Sequence, residues 1–139
     1  MRHMVPDPRF WLKASQVSLV GWTRPSQTEQ AGSFSLADIR RIGPRQLALQ
    51  VLAAVPASTG ILLHLDIDVF RSGDLPAAYF PHAEGLSLAE GTELLGVFLR
   101  DARVRVIEVS EYATLRDHEG ESLHKIIDMF VQTLPKSAG

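Results

Sequence analysis

The feature that most constrains this chain is an apolar run at residues 60–70, Gly60-Ile61-Leu62-Leu63-His64-Leu65-Asp66-Ile67-Asp68-Val69-Phe70, which carries two carboxylates. A run this short and this apolar reads as a strand buried on both faces, as in a parallel sheet with helices above and below. Side chains two apart on a strand share a face. His64, Asp66 and Asp68 therefore line up on one side, with Leu63, Leu65, Ile67 and Val69 on the other. Two carboxylates so placed repel each other and are costly to desolvate. Compensation must come from a divalent metal, from buried Lys or Arg, or from hydrogen bonds to loop amides or a helix N-terminus. No basic residue precedes them within the run, and Arg71 lies just beyond it.

The flanking sequence supplies the helices such a sheet needs. Residues 16–22 read as a strand, entered from a lead containing Pro6 and Pro8 and left through Arg24, Pro25 and Ser26. Residues 26–33 are polar and glycine-bearing, hence a loop. Ser35 can cap a short helix that stops near Gly43, and Pro44 suits the first position of a second helix, where an N–H would lack a partner anyway. On that helix Ala48, Val51, Leu52 and Val55 share a face. After a loop with Gly73, Pro76 and Pro81, Ser87 and Glu90 form a capping box. The helix behind it points Leu94, Leu95, Phe98 and Leu99 at a core. Residues 104–109 are the third strand. In the last helix Leu123, Ile126, Ile127, Phe130, Val131 and Leu134 recur with helical period. This alternation predicts an α/β fold, an open parallel sheet with helices on both faces. The strands near 16–22, 60–68 and 103–109 are expected as parallel neighbours in one sheet. At 139 residues the chain holds one domain: a lead at 1–15, the domain at 16–134 and a tail at 135–139.

Charge removes several function classes. Fourteen Lys and Arg against sixteen Asp and Glu leave a formal charge of −2, so there is no electrostatic footprint for nucleic acid or an anionic membrane. The run at 60–70 is broken by charges and cannot span a bilayer, and Met1-Arg2-His3-Met4 lacks the apolar core of a signal peptide. No cysteine is present. That excludes disulfides and thiolate metal sites, and it is compatible with a reducing cytoplasm, where the protein is expected.

A third carboxylate repeats the theme. Glu108 sits near the carboxyl end of its strand, on one face with Val104 and Val106. Open parallel sheets bind ligands outside the carboxyl ends of their strands. An acid there can meet a cationic substrate group, although a lone strand-end Glu also caps loops or pairs with Arg.

At these residues the sequence resembles the ureohydrolase (arginase and agmatinase) family. His64-Leu65-Asp66-Ile67-Asp68-Val69-Phe70 is similar to the family's strand ending in Asp-x-Asp. Leu75-Pro76 and Pro81 fit its Pro-punctuated loop, and Gly85-Leu86-Ser87 with Glu90 fits its Gly-Leu-Ser/Thr-x-x-Glu helix start. Val106-Ile107-Glu108-Val109 fits its later strand with a Glu. Leu19-Val20-Gly21-Trp22 and residues 32–42 fit the preceding strand and short helix, so the resemblance extends over residues 16–134. It implies a three-layer α/β/α arginase-like fold, here a partial domain forming the C-terminal half. It also implies two Mn²⁺ ions, with Asp66 bridging them and Asp68 binding one. Hard carboxylate oxygens suit Mn²⁺, which can activate water near neutral pH for attack on a guanidinium or amidine carbon. Glu108 would hold that cationic group of a small guanidino or amidino substrate.

Two departures bear on this expectation. Phe70-Arg71-Ser72-Gly73-Asp74-Leu75-Pro76 replaces the family's Leu-Asp-Pro, which resembles a divergent bacterial branch. The Gly-Gly-Asp-His and Asp-Ala-His-x-Asp motifs that supply the remaining ligands are missing, and His3, His82, His118 and His124 read as loop or surface residues. Two readings follow. The chain is the C-terminal part of a Mn-dependent ureohydrolase, inactive without the missing half. Alternatively it is a truncated, non-catalytic α/β module acting in protein–protein interaction or oligomerisation. In either case a half-domain exposes a sheet edge or a helix-bare face, so a homo-oligomer is expected.

Overall fold

Side-chain caps set the helix starts. Ser35 Oγ accepts the N–H of Asp38 at 3.1 Å, and the Asp38 carboxylate accepts the Ser35 N–H at 3.0 Å. This reciprocal pair opens helix α1, Leu36–Ile42. Gly43 separates it from α2, Pro44–Ala54, with proline at the first helical position as expected. Ser87 and Glu90 form a second capping box ahead of α3, Leu88–Phe98. Helix α4, Glu121–Thr133, starts without a side chain from its own N-cap residue Gly120. Asp117 serves instead, accepting from Ser122 N at 3.1 Å and Leu123 N at 2.8 Å.

The computed structural model describes residues 12–23 and 32–135. His3, the Pro6–Pro8 lead and the exit through Arg24, Pro25 and Ser26 lie outside the described residues. Four strands occur among the described residues: β1 (Leu19–Trp22), β2 (Ser33–Ser35), β3 (Ile61–Asp66) and β4 (Val104–Ser110). All pairing within these strands is parallel, so the fold is α/β as expected, but β1 is not a ladder neighbour of β3. It pairs with β2, a short strand in a stretch read as the end of a loop, and β3 pairs with β4. Gly21 explains the separation. Its φ of 94° and the register shift between Val20 and Trp22 bend β1. A side chain there would meet Val69 at 2.6 Å, so β1 approaches the end of the β3 segment by close packing rather than by a ladder.

The segment at 60–70 is also shorter as a strand than its apolar run suggests. β3 ends at Asp66, and Ile67–Val69 form a 3₁₀ turn. Nor is it buried on both faces. Leu63 and Leu65 pack toward the core, whereas Leu62 is 60% exposed and its register partner Val106 is 51% exposed. The core covers one face of β3 and leaves the Leu62–His64 face open, while on β4 Ile107 and Val109, the partners of Leu63 and Leu65, are exposed as well.

The core lies between these strands and the helix layer, in which α2 packs on α3 and α3 on α4. Ile39, Leu47, Ile67, Phe70, Leu75 and Met129 are almost fully buried, each stabilising the fold by about 1.5–3 kcal/mol. Helix α4 departs from expectation. Ile126 and Met129 point inward, but Leu123, Ile127, Val131 and Leu134 are 41–69% exposed, a stripe at helical spacing. No helix among the described residues is long and apolar enough to cross a membrane.

Candidate functional site at the carboxyl ends of β3 and β4

The expected residues gather at one end of the β3–β4 pair. Asp66 is the last residue of β3 and sits opposite Ser110, the last of β4. Two residues earlier His64 faces Glu108. Asp66, Ser110, His64 and Glu108 therefore share the open face of the pair.

Asp68 does not continue that row. The Oδ1 of Asp66 accepts the N–H of Asp68 at 2.8 Å, capping the 3₁₀ turn and bending the chain away from the strand line. Asp68 Oδ1 in turn accepts the N–H of Phe80 at 2.9 Å. The pair is thus compensated by loop amides, one of the alternatives left open by the sequence. In each residue these bonds engage only one of the two carboxylate oxygens.

Glu108 already has a partner within the chain. Its Oε2 lies 3.0 Å from His64 Nδ1, and His64 Nε2 lies 3.1 Å from Ser110 Oγ. The His64 and Glu108 side chains are 48% and 60% exposed. The sequence placed His64 on this face without assigning it a role, and it missed Ser110, although period two from Glu108 reaches it.

The surrounding loop is held by specific bonds. Arg71 Nε lies 3.0 Å from Asp74 Oδ2, which also accepts from Leu88 N at the start of α3. The Arg71 bond, opposed by burial and reinforced by the Leu88 amide, holds the Asp74 carboxyl below its ordinary range. At Gly85 the backbone runs so close to residues 69–71 that a Cβ would meet the Arg71 nitrogen at 2.5 Å. The Gly-Leu-Ser motif needs its glycine for this approach. Arg116 Nη1 donates to the carbonyls of Ala78 and Tyr79, and Tyr79 N donates to Glu111 O at 2.8 Å. The exposed rings of Tyr79 and Phe80 stand edge to face beside this strand end, with centroids 4.9 Å apart.

As for metal, the free oxygens of Asp66 and Asp68 are hard donors of the type Mn²⁺ takes. Among the described residues, however, no group of three or more His, Cys, Asp or Glu side chains stands close enough to hold an ion. His82, His118 and His124 are exposed, the last bound through Nδ1 to Gly120 O at 2.8 Å. Among the described residues no ligand set is complete.

Comparison with known proteins follows the same line. Residues 11–134 match the arginase family. Formimidoylglutamase of Enterobacter sp. (strain 638) is 27% identical over 111 residues, covering 76% of this chain and 36% of that protein. The structure of arginase from Bacillus subtilis superposes with a TM-score of 0.79 at 19% identity, over 92% of this chain and 48% of that one. Formiminoglutamase of Trypanosoma cruzi, solved with Mn²⁺, gives 0.64 at 22% identity over 75% and 37%. At these identities the structural matches show the fold alone. The chain spans between about a third and a half of the length of these relatives.

Proposed function

This chain belongs to the arginase family, and on that premise we propose that it supplies the C-terminal part of a Mn-dependent, cytoplasmic ureohydrolase acting on a guanidino or amidino substrate. The observation that carries the reading is the gathering of Asp66 and Glu108 at the carboxyl ends of adjacent parallel strands, with Asp68 in the turn that follows. Ligands bind at that edge in open α/β sheets.

In this reading Asp66 and Asp68 are the ligands the chain contributes, each through the oxygen left free by its amide contact. The remaining ligands come from elsewhere in the complete domain. When bound, Mn²⁺ supplies a Lewis acid that activates water near neutral pH. Glu108 holds the cationic end of the substrate by charge-assisted hydrogen bonds, and it must share its carboxylate with His64. Tyr79 and Phe80 wall the site with apolar surface.

Alone, the 139-residue chain is expected to release no urea, formamide or ammonia from arginine, agmatine or formiminoglutamate with Mn²⁺ present. A longer protein containing it is expected to turn over one of them and to lose activity and metal in Asp66→Ala. Metal content unchanged by that substitution contradicts the reading.

The open Leu62–Val106 face and the exposed α4 stripe support a second role, association into an oligomer or with a partner chain. This role does not require a complete metal site.

A further inference from the structure

Far from the carboxyl ends of the strands, the seam between α2 and α3 holds a cavity of about 260 Å³. Its floor is apolar. Leu52 and Val97 are buried, and Gly96 adds no side chain. Leu49, 43% exposed, forms a wall. The cavity also borders Asp101, in the turn leading into β4, and so lies at the amino end of the strands. The length of β4, roughly 20 Å, separates it from the edge that holds Asp66.

Two cations line this cavity, Arg45 from α2 and Arg100 from just beyond α3. Among the described residues no hydrogen bond or ion pair engages either guanidinium, whereas Arg40, Arg41, Arg71 and Arg103 each hold a carboxylate. Arg100 folds back over the cavity floor, with Nη1 at 4.0 Å from the position a Cβ would take at Gly96. The acid at the rim does not neutralise the pair. Both Asp101 oxygens are taken by Arg103, Oδ1 at 2.9 Å from Nε and Oδ2 at 2.7 Å from Nη2. Two like charges beside one cavity repel each other, and an anion between them turns that repulsion into attraction.

We propose that this cavity binds a small phosphate monoester with an apolar body. Arg45 and Arg100 hold the phosphate oxygens by charge-assisted hydrogen bonds, to which the planar guanidinium fork is suited. A dianion matches the two cations. The apolar group lies against Leu49, Leu52 and Val97. An adjoining groove of about 560 Å³, which shares Leu49 and Leu52, extends this apolar wall along α2 toward Pro56. The site uses no metal and neither Asp66, Asp68 nor Glu108, so it stands or falls apart from the ureohydrolase reading.

Phenyl phosphate is the probe, titrated into the ¹⁵N-labelled 139-residue chain in EDTA and followed by amide chemical shifts. The expected result is saturable binding with a Kd on the order of 1 mM, ordinary for a ligand of this size. Shifts should concentrate at residues 45–52 and 96–101. Inorganic phosphate should bind about fivefold to tenfold more weakly, since it buries no ring. Arg45→Ala and Arg100→Ala should each weaken phenyl phosphate at least about tenfold, the worth of a charge-assisted bond. Leu49→Gln should weaken phenyl phosphate and leave inorganic phosphate unchanged. No saturable binding, shifts scattered over the surface, or equal affinity for the two phosphates would overturn the proposal. So would binding unchanged in Arg45→Ala/Arg100→Ala with the fold intact by circular dichroism.

Discussion

The side chain of Asp66 accepts the main-chain N–H of Asp68 at 2.8 Å, so the first carboxylate of the Asp-x-Asp pair positions the second. Without that bond the 3₁₀ turn at Ile67–Val69 loses its cap, and Asp68 loses the bend that carries it to the Phe80 amide.

Asp66 is therefore expected to matter for stability as well as for any ligand. Asp66→Ala should lower unfolding free energy by about 1 kcal/mol, the usual worth of such a cap. Asp66→Asn should cost much less, because its amide oxygen can still accept. Urea titration of both variants measures the difference, and equal losses would remove the capping role.

Gly85 is expected to tolerate no side chain. A Cβ there meets backbone atoms of residues 69–71 at 2.5–2.7 Å, and backbone cannot yield as a flexible side chain can. Gly85→Ala should destabilise by about 1–3 kcal/mol, the range for overpacking a tight site. By contrast Gly73→Ala, with open space around it, should fall within about 0.5 kcal/mol of the parent. Thermal unfolding of the two variants separates them.

Acid should weaken the fold through two carboxylates with identified partners. Asp38, hydrogen-bonded first by Arg41 and then by Ser35, titrates at about 2 instead of its ordinary 3.8. Asp101, held mainly by Arg103, is lowered to about 2 as well. A depressed folded-state value means stability that is present above the unfolded-state value and lost on acidification. The loss should run from about pH 4 to about pH 2. Asp101→Asn should flatten that part of the stability curve, and a profile identical to the parent's would contradict the assignment. Arg103 also donates to Val55 O and Leu52 O at the end of α2, so replacing it should cost more than replacing Asp101.

How much of this was legible in the sequence follows from range. The starts of α1, α2 and α3 depend on residues within one turn, Ser35, Pro44 and Ser87 with Glu90, and they appear where expected. The pairing of β1 with β2 depends on a bulge at Gly21 and on contact with Val69, forty-eight residues away in the chain, which no local pattern encodes. The apolar spacing of α4 marked a helix correctly but not its exposure, since Ile127 and Val131 carry the same signal as the buried Ile126. In the site, Asp66, Asp68 and Glu108 stood out because carboxylates in apolar strands are costly. His64 and Ser110 raise no such alarm, and their contacts follow from the β3–β4 register.

Association is expected from the same exposed surface. Ile127 and Val131 on α4 are 47% and 69% exposed, beside further apolar positions at Leu123 and Leu134. Light scattering at high concentration should find a dimer or larger species, shifted toward monomer by Val131→Glu. A monodisperse monomer would count against it.

The central claim is that Asp66 and Asp68 are part of a metal site that this chain does not complete. Mn²⁺ titration of the 139-residue protein, by calorimetry or by the loss of free-ion electron paramagnetic resonance signal, tests it most directly. The account predicts weak binding, with Kd on the order of 0.1–1 mM because water fills most of the coordination sphere, and loss of that binding in Asp66→Ala/Asp68→Ala. Micromolar or tighter binding, or binding unchanged in the double variant, would contradict it.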